Sequence, residues 1–306
     1  MTERENVLHA LRHDGQAEWV ATINNAVCIL PLSLNRDKVQ DGLDWFGVTW
    51  RESTPVSPPL FDDVTEWRKF VKFPDLDAMD WEGEAKRLEP MIDRENKAVW
   101  SMMSQGLFER MHSLMGFENA LCSFYDEPEA AAELIAALAD FRYRLTEKIL
   151  DYFDPDIINF RDDYGSQQNL MFSPDIFRDF FKPHIRRLAK QAHDRGKIFV
   201  LHSCGKVDSL IGDFVELGTD SWDSVQPCCD LKGIYEQYGD KLGFSSTLDL
   251  QMFSTCTEEE ARQCVRDTID LLGGNHSLVL WDEFPLELPL DSAVITDEAI
   301  RYGVYR

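Results

Sequence analysis

The chain has 306 residues, 44% of them hydrophobic, and 55 acidic against 31 basic side chains give a formal charge of −24. That charge repels nucleic acid and anionic lipid alike, and it weighs against a substrate with many carboxylates, which would need a basic pocket. No run of about 18 apolar residues could span a bilayer, Met1-Thr2-Glu3-Arg4-Glu5-Asn6 lacks a basic-then-apolar leader, and seven scattered cysteines suit reduced thiols, so a cytoplasmic protein is expected.

The length suits one α/β barrel of about 250 residues with extensions, or two smaller domains. No Gly/Ser linker, low-complexity stretch or fixed-period repeat divides the chain, so one domain over residues 1–306 is the simpler expectation. In chain order, Asn6 to Arg12 reads as helix, Trp19 to Leu30 and Val48 to Trp50 as extended, and Ala98 to Met102 as a strand. Leu134, Leu138, Phe141, Leu145 and Ile149 then form a helical stripe, followed by the strand-length run Ile157 to Phe160. Ser173-Pro174 opens a helix, because a Ser oxygen can accept an orphan N–H and Pro has none to lose; Phe177, Phe181, Leu188 and Ala192 share its face. Ile198 to Leu201, Ser221-Trp222, Gly243 to Ser246 and Ser277 to Trp281 are further strands, and Thr257 with Glu260 forms the capping box of a helix before the last. Five β-α units and the earlier extended runs make about eight strands. With no Gly-rich phosphate turn after the first strand, the expectation is a closed (β/α)8 TIM barrel with N-terminal helical and extended additions.

In such a barrel the residues just after each strand form the active site. Here they are Arg161, Asp162 and Asp163; His202, Ser203 and Cys204; Asp223; Asp249; and Asp282 with Glu283. If its strand continues, His202 and Cys204 point to one side, and imidazole nitrogen with thiolate sulfur is a donor pair that zinc favours. A histidine hydrogen-bonded beside an inert core cysteine fits the same spacing. Asp162 and Asp163 point opposite ways in extended chain, so one of them reaches the mouth, to orient substrate, move a proton or hold a histidine tautomer, unless both only cap or solvate a loop. Asp282 and Glu283 are open to a metal or a solvent role. Cys228-Cys229 lacks a second cysteine pair, and His112, His184, His193 and His276 have no ligand-like neighbours in sequence.

The order of these pieces resembles the uroporphyrinogen decarboxylase-like superfamily. They are Glu3 to Arg12, Asp44-Trp45-Phe46-Gly47-Val48-Thr49-Trp50, Phe108-Glu109-Arg110, Met115 to Leu121, Asp162-Asp163-Tyr164-Gly165-Ser166-Gln167 with Ser173 to Phe177, and His202-Ser203-Cys204-Gly205. The decarboxylases carry an Arg-rich segment after the first strand to hold the porphyrinogen's acid groups. Thr22 to Leu34 has no Arg or Lys, which sets that reaction aside. The resemblance implies instead the zinc methyltransferase branch, with His202 and Cys204 as ligands. The late cysteine of that branch is replaced by Asp282-Glu283, so the third ligand is a carboxylate, with Glu283 favoured, or is absent. A harder, more electrophilic metal suits an ether oxygen. The implied reaction is O-demethylation of a methoxylated, aromatic compound, with zinc polarising the ether oxygen and a partner corrinoid protein receiving the methyl group. Asp162, Asp163, Gln167 and Asp249 are the expected catalytic and orienting residues. Two alternatives stand beside this: transfer from methylcorrinoid to a thiol or tetrahydrofolate, and a non-catalytic barrel that binds a corrinoid protein. The sequence leaves room for a homodimer.

Overall fold

The computed structural model describes residues 1–29, 41–245, 248–249, 252–281 and 291–305. Its strands in chain order are β1 (Ala21–Thr22), β2 (Ala26–Ile29), β3 (Gly42–Leu43), β4 (Thr49–Arg51), β5 (Thr54–Pro55), β6 (Ala98–Met103), β7 (Ile157–Arg161), β8 (Ile198–His202), β9 (Ser221–Asp223), β10 (Gly243–Ser245) and β11 (Leu278–Leu280). Eight of them pair in parallel in the order β1-β11-β10-β9-β8-β7-β6-β2. Only the turn Ile23–Asn25 separates β1 from β2, and the Asn25 side-chain oxygen pins it by accepting the Thr22 N–H at 2.9 Å. One stretch of chain therefore pairs with β11 through its first half and with β6 through its second, bringing the sheet round into a nearly closed (β/α)8 barrel.

This corrects one element of the sequence reading. Val48 to Trp50 does not join the barrel; Thr49–Arg51 is the middle strand of a separate antiparallel sheet, β3-β4-β5. The eighth barrel position comes from the split of the first extended run. Trp50 and Val48 are buried all the same, against helix Phe108–Met115 through a hidden ion pair: Arg110 Nη1 lies 2.6 Å from Asp44 Oδ2.

The two-residue period of the strands sorts their side chains between two cores. Ala98, Trp100, Ile157, Ile198, Val200 and Val279 fill the interior, whereas Val99, Ile158, Phe160, Phe199, Leu201 and Leu280 face the surrounding helices. The N-terminal ends of the strands are closed by helix Glu3–Leu11, which adds Val7, Leu8, Ala10 and Leu11 to the interior core. Its Arg4 is bonded to Asp156, at the entrance of β7.

The crossovers follow the sequence. Helix Pro128–Phe153 buries Leu134, Leu138, Phe141, Leu145 and Ile149, and Thr257 and Glu260 form a reciprocal capping box at the N-terminus of helix Glu258–Leu272. Ser173 caps the next crossover, with the Ile176 N–H donating to its oxygen at 3.4 Å. A π-turn at Phe177–Phe181 then precedes Lys182–Asp194, just where Pro183 would clash with an α-helical carbonyl four residues back. No helix among the described residues is long and apolar enough to cross a membrane.

Candidate metal centre at the barrel mouth

The C-terminal ends of β7, β8 and β9 carry the polar residues of the mouth. Parallel register sets Arg161 opposite His202 and His202 opposite Asp223. β8 ends at His202, so Cys204 lies in the loop beyond it, yet its sulfur returns to within 3.4 Å of His202 Nε2. Gly205, at φ +81°, makes this turn possible: a Cβ there would collide with the Gly165 carbonyl. The loops after β7 and β8 thus lie directly against each other, tied by the Lys206 N–H donating to Ser166 O at 2.7 Å.

The packed loops bring Asp163 to the same point. Its Oδ1 accepts the Cys204 N–H at 2.8 Å and lies 3.5 Å from His202 Nε2. One donor atom from each of Asp163, His202 and Cys204 lies within 4.8 Å of the other two. Zinc bonds of about 2.0–2.3 Å require tetrahedral donors about 3–4 Å apart, so two of the separations already match a bound ion. The N, S and O donor set is one that zinc takes, and three protein donors leave an open position.

The histidine tautomer supports the same fit. His202 Nδ1–H donates to Asp223 Oδ2 at 2.8 Å, which leaves the Nε2 lone pair facing the cluster. Burial raises the Asp223 carboxyl, but His202 and Arg161 outweigh it and hold the group down at about 2. Asp223 Oδ2 also accepts from Asn159 Nδ2 at 3.0 Å and Arg161 Nη1 at 3.2 Å. Burial and then Asp163 push the Cys204 thiol up to about 12, so a metal must displace its proton. Asp223→Asn should weaken zinc binding about tenfold to a hundredfold, read by competition with a chromophoric chelator. An unchanged affinity would mean that Asp223 does not set the tautomer.

Asp162 faces the other way, as neighbours in extended chain should. Fully buried, it accepts the N–H groups of Leu107, Phe108 and Glu109 at 2.8–3.0 Å and the Tyr164 hydroxyl at 3.0 Å, and so caps helix Phe108–Met115. Burial outweighs these donors and raises its carboxyl to about 6. An acid raised in the folded state stabilises most below its unfolded value, near 4, and loses that contribution as pH rises through 6. Wild type should therefore lose up to about 3 kcal/mol relative to Asp162→Asn between pH 4 and 7, measured by urea unfolding.

The other expected residues do not join the cluster. Gln167 is exposed at the rim, donating to Gln226 Oε1 at 3.1 Å, the same oxygen that takes the Gly205 N–H. Asp249 accepts the Met252 N–H at 3.2 Å and lines a cavity of about 440 Å³ with Cys264 and Leu271, whose lining includes none of the three donors. Glu283 and Asp282 lie outside the described residues. The residues given no role by sequence are Asp223, Arg161 and Asn159. Their strand ends marked two of them as polar, but only the pairing register shows that they meet His202.

Comparisons agree with this architecture. A family model described as uroporphyrinogen decarboxylase (URO-D) matches residues 95–280. No curated protein matches the chain. Among solved structures, a methyltransferase from Methanosarcina mazei superposes with a TM-score of 0.76 at 14% identity, covering 99% of both chains. A protein assigned as a vitamin-B12 independent methionine synthase from Listeria monocytogenes gives a TM-score of 0.47 at 11% identity, over 98% of this chain and 83% of that one.

Proposed function

Since the chain belongs to the uroporphyrinogen decarboxylase family, we propose that it is a methyltransferase on that fold, with a zinc ion held by His202, Cys204 and Asp163. In this reading it moves a methyl group from a methoxylated, aromatic substrate to the corrinoid of a partner protein. The observation that carries the proposal is the meeting of these three donors at the barrel mouth, with His202 turned by Asp223 so that its Nε2 faces the other two. Asp163 supplies the third donor; Glu283, outside the described residues, has no part in this reading.

Zinc, when bound, supplies a Lewis acid that polarises the ether oxygen and stabilises the anion it becomes. The chain's own groups do the rest. Asp223 takes the Nδ1–H and so fixes the imidazole in orientation, with Nε2 towards the other two donors. Trp100 and Trp281 pack edge to face with centroids 6.1 Å apart, with Met102 against the same interior core. In the overall transfer the O–CH3 bond breaks, a Co–CH3 bond forms on Co(I), and the phenolate left behind takes a proton from solvent.

The test uses zinc-loaded protein, cob(I)alamin and a panel of methoxybenzenes and methoxybenzoates. Appearance of methylcobalamin with one equivalent of phenol is expected. If every ether is inert and methylcobalamin is instead consumed with a thiol or tetrahydrofolate, the transfer runs the other way and the proposal fails.

A further inference from the structure

We propose that Arg161 receives a carboxylate, and that the substrate bound at this mouth is therefore a carboxylic acid; calling that ligand the substrate rests on the methyltransferase reading above. Arg161 ends β7 and shares the interior-facing side of the strand with Asn159, its side chain 24% exposed at the mouth. Its contacts are single and long. Nη1 lies 3.2 Å from Asp223 Oδ2 and 3.5 Å from Asn159 Oδ1, and Nη2 lies 3.2 Å from His202 Nε2. None of these is the parallel two-bond pairing that a guanidinium makes with a carboxylate. Asp223 Oδ2 does not depend on Arg161 either, because His202 and Asn159 donate to it at 2.8 and 3.0 Å.

The contact with His202 is the one that must change. Nε2 has a single lone pair, and once a metal takes it, Nη2 loses its acceptor. Loading the site thus releases an N–H edge of the guanidinium beside the open coordination position. The charge balance admits an anion there: a divalent ion would be offset by the Cys204 thiolate and Asp163, and Arg161 by Asp223, which leaves no net charge to repel it.

A second observation points the same way. The indole N–H groups of Trp100 and Trp281 are buried with no acceptor among the described residues, and both rings belong to the interior core. Buried donors are normally satisfied, so these two indoles suit a ligand that brings acceptors, although Asp223 Oδ1 is itself buried without a donor among the described residues. A single guanidinium matches a singly charged planar acid better than a phosphate dianion.

Benzoate, benzamide and phenyl phosphate, which carry no methyl group to transfer, are the probes, with binding to zinc-loaded protein read by calorimetry. Benzoate should bind about tenfold to a hundredfold tighter than benzamide, the effect of one charge-assisted pair. Arg161→Met should abolish that preference and Arg161→Lys retain part of it. Failure of wild type to bind benzoate, equal affinity for benzoate and benzamide, tighter binding of phenyl phosphate, or a preference that survives in Arg161→Met would each overturn the inference. The wild-type arms need no variant to fold. Because these probes cannot turn over, an Arg161-dependent benzoate site in a protein inert towards every methoxybenzoate would sink the methyltransferase reading and leave the carboxylate receptor standing.

Discussion

His202→Ala and Cys204→Ser proteins are each expected to fall from about one zinc per chain to none by elemental analysis, and to lose methyl transfer by about a thousandfold or more. The magnitude follows from the several kcal/mol of transition-state charge stabilisation that a Lewis acid supplies, at about 1.4 kcal/mol per decade. Two donors remain in each variant, but they are unequal to the task. Without His202, Asp163 and Cys204 lose the neutral nitrogen that Asp223 orients, and Asp223 is left as a buried carboxylate short of its closest donor. Without the Cys204 sulfur, a serine hydroxyl would have to give up a proton held more tightly than a thiol's. Asp249→Asn is the control, since Asp249 lines a separate cavity whose lining includes none of the three donors, and it should keep its zinc. Zinc retained at one per chain in both ligand variants would mean that the ion sits elsewhere.

How much of this was legible in sequence depends on the range of the interaction that decides each feature. Apolar runs of strand length such as Ala98 to Met102 and Ile198 to Leu201, and the Thr257-Glu260 box, are settled by neighbours within a few residues, and the structure shows them as read. Val48 to Trp50 looks like any half-buried strand, but its partners are the short strands on either side of it, and its burial comes from a helix some sixty residues away. Alternation shows that Asp162 and Asp163 diverge without saying which one faces the mouth. That choice follows from the helix whose N-terminus Asp162 caps, and from the glycine contact that brings Asp163 to Cys204. Asp223 is separated from His202 by 21 residues and a whole crossover, so its role rests on strand register, which the composition of β8 and β9 does not encode.

Asp44→Ala should lower stability by about 3–5 kcal/mol, and Arg110→Ala by a similar amount, because each removes one half of a fully buried ion pair. Both side chains are fully buried. Asp44 is the centre of the link between the antiparallel sheet and the barrel: Oδ1 accepts the N–H groups of Phe46 and Val48 at 2.8 and 2.9 Å, and Oδ2 accepts Trp50 Nε1 at 2.9 Å and Arg110 Nη1 at 2.6 Å. Arg110 also lies over the Phe46 ring, 4.4 Å from its centroid. Removing the carboxylate therefore takes one acceptor from an arginine, two backbone donors and an indole at once. Removing both charges with apolar replacements, Asp44→Leu with Arg110→Met, should cost less than the two single losses added together, because the desolvation of each ion disappears with it. Urea unfolding of the wild type, Asp44→Leu, Arg110→Met and the double variant gives the coupling directly. Additive losses would mean that the two side chains are held independently. Strong coupling would tie the antiparallel sheet to the helix that Asp162 caps, and through Asp162 to the strand end from which Asp163 reaches His202 and Cys204.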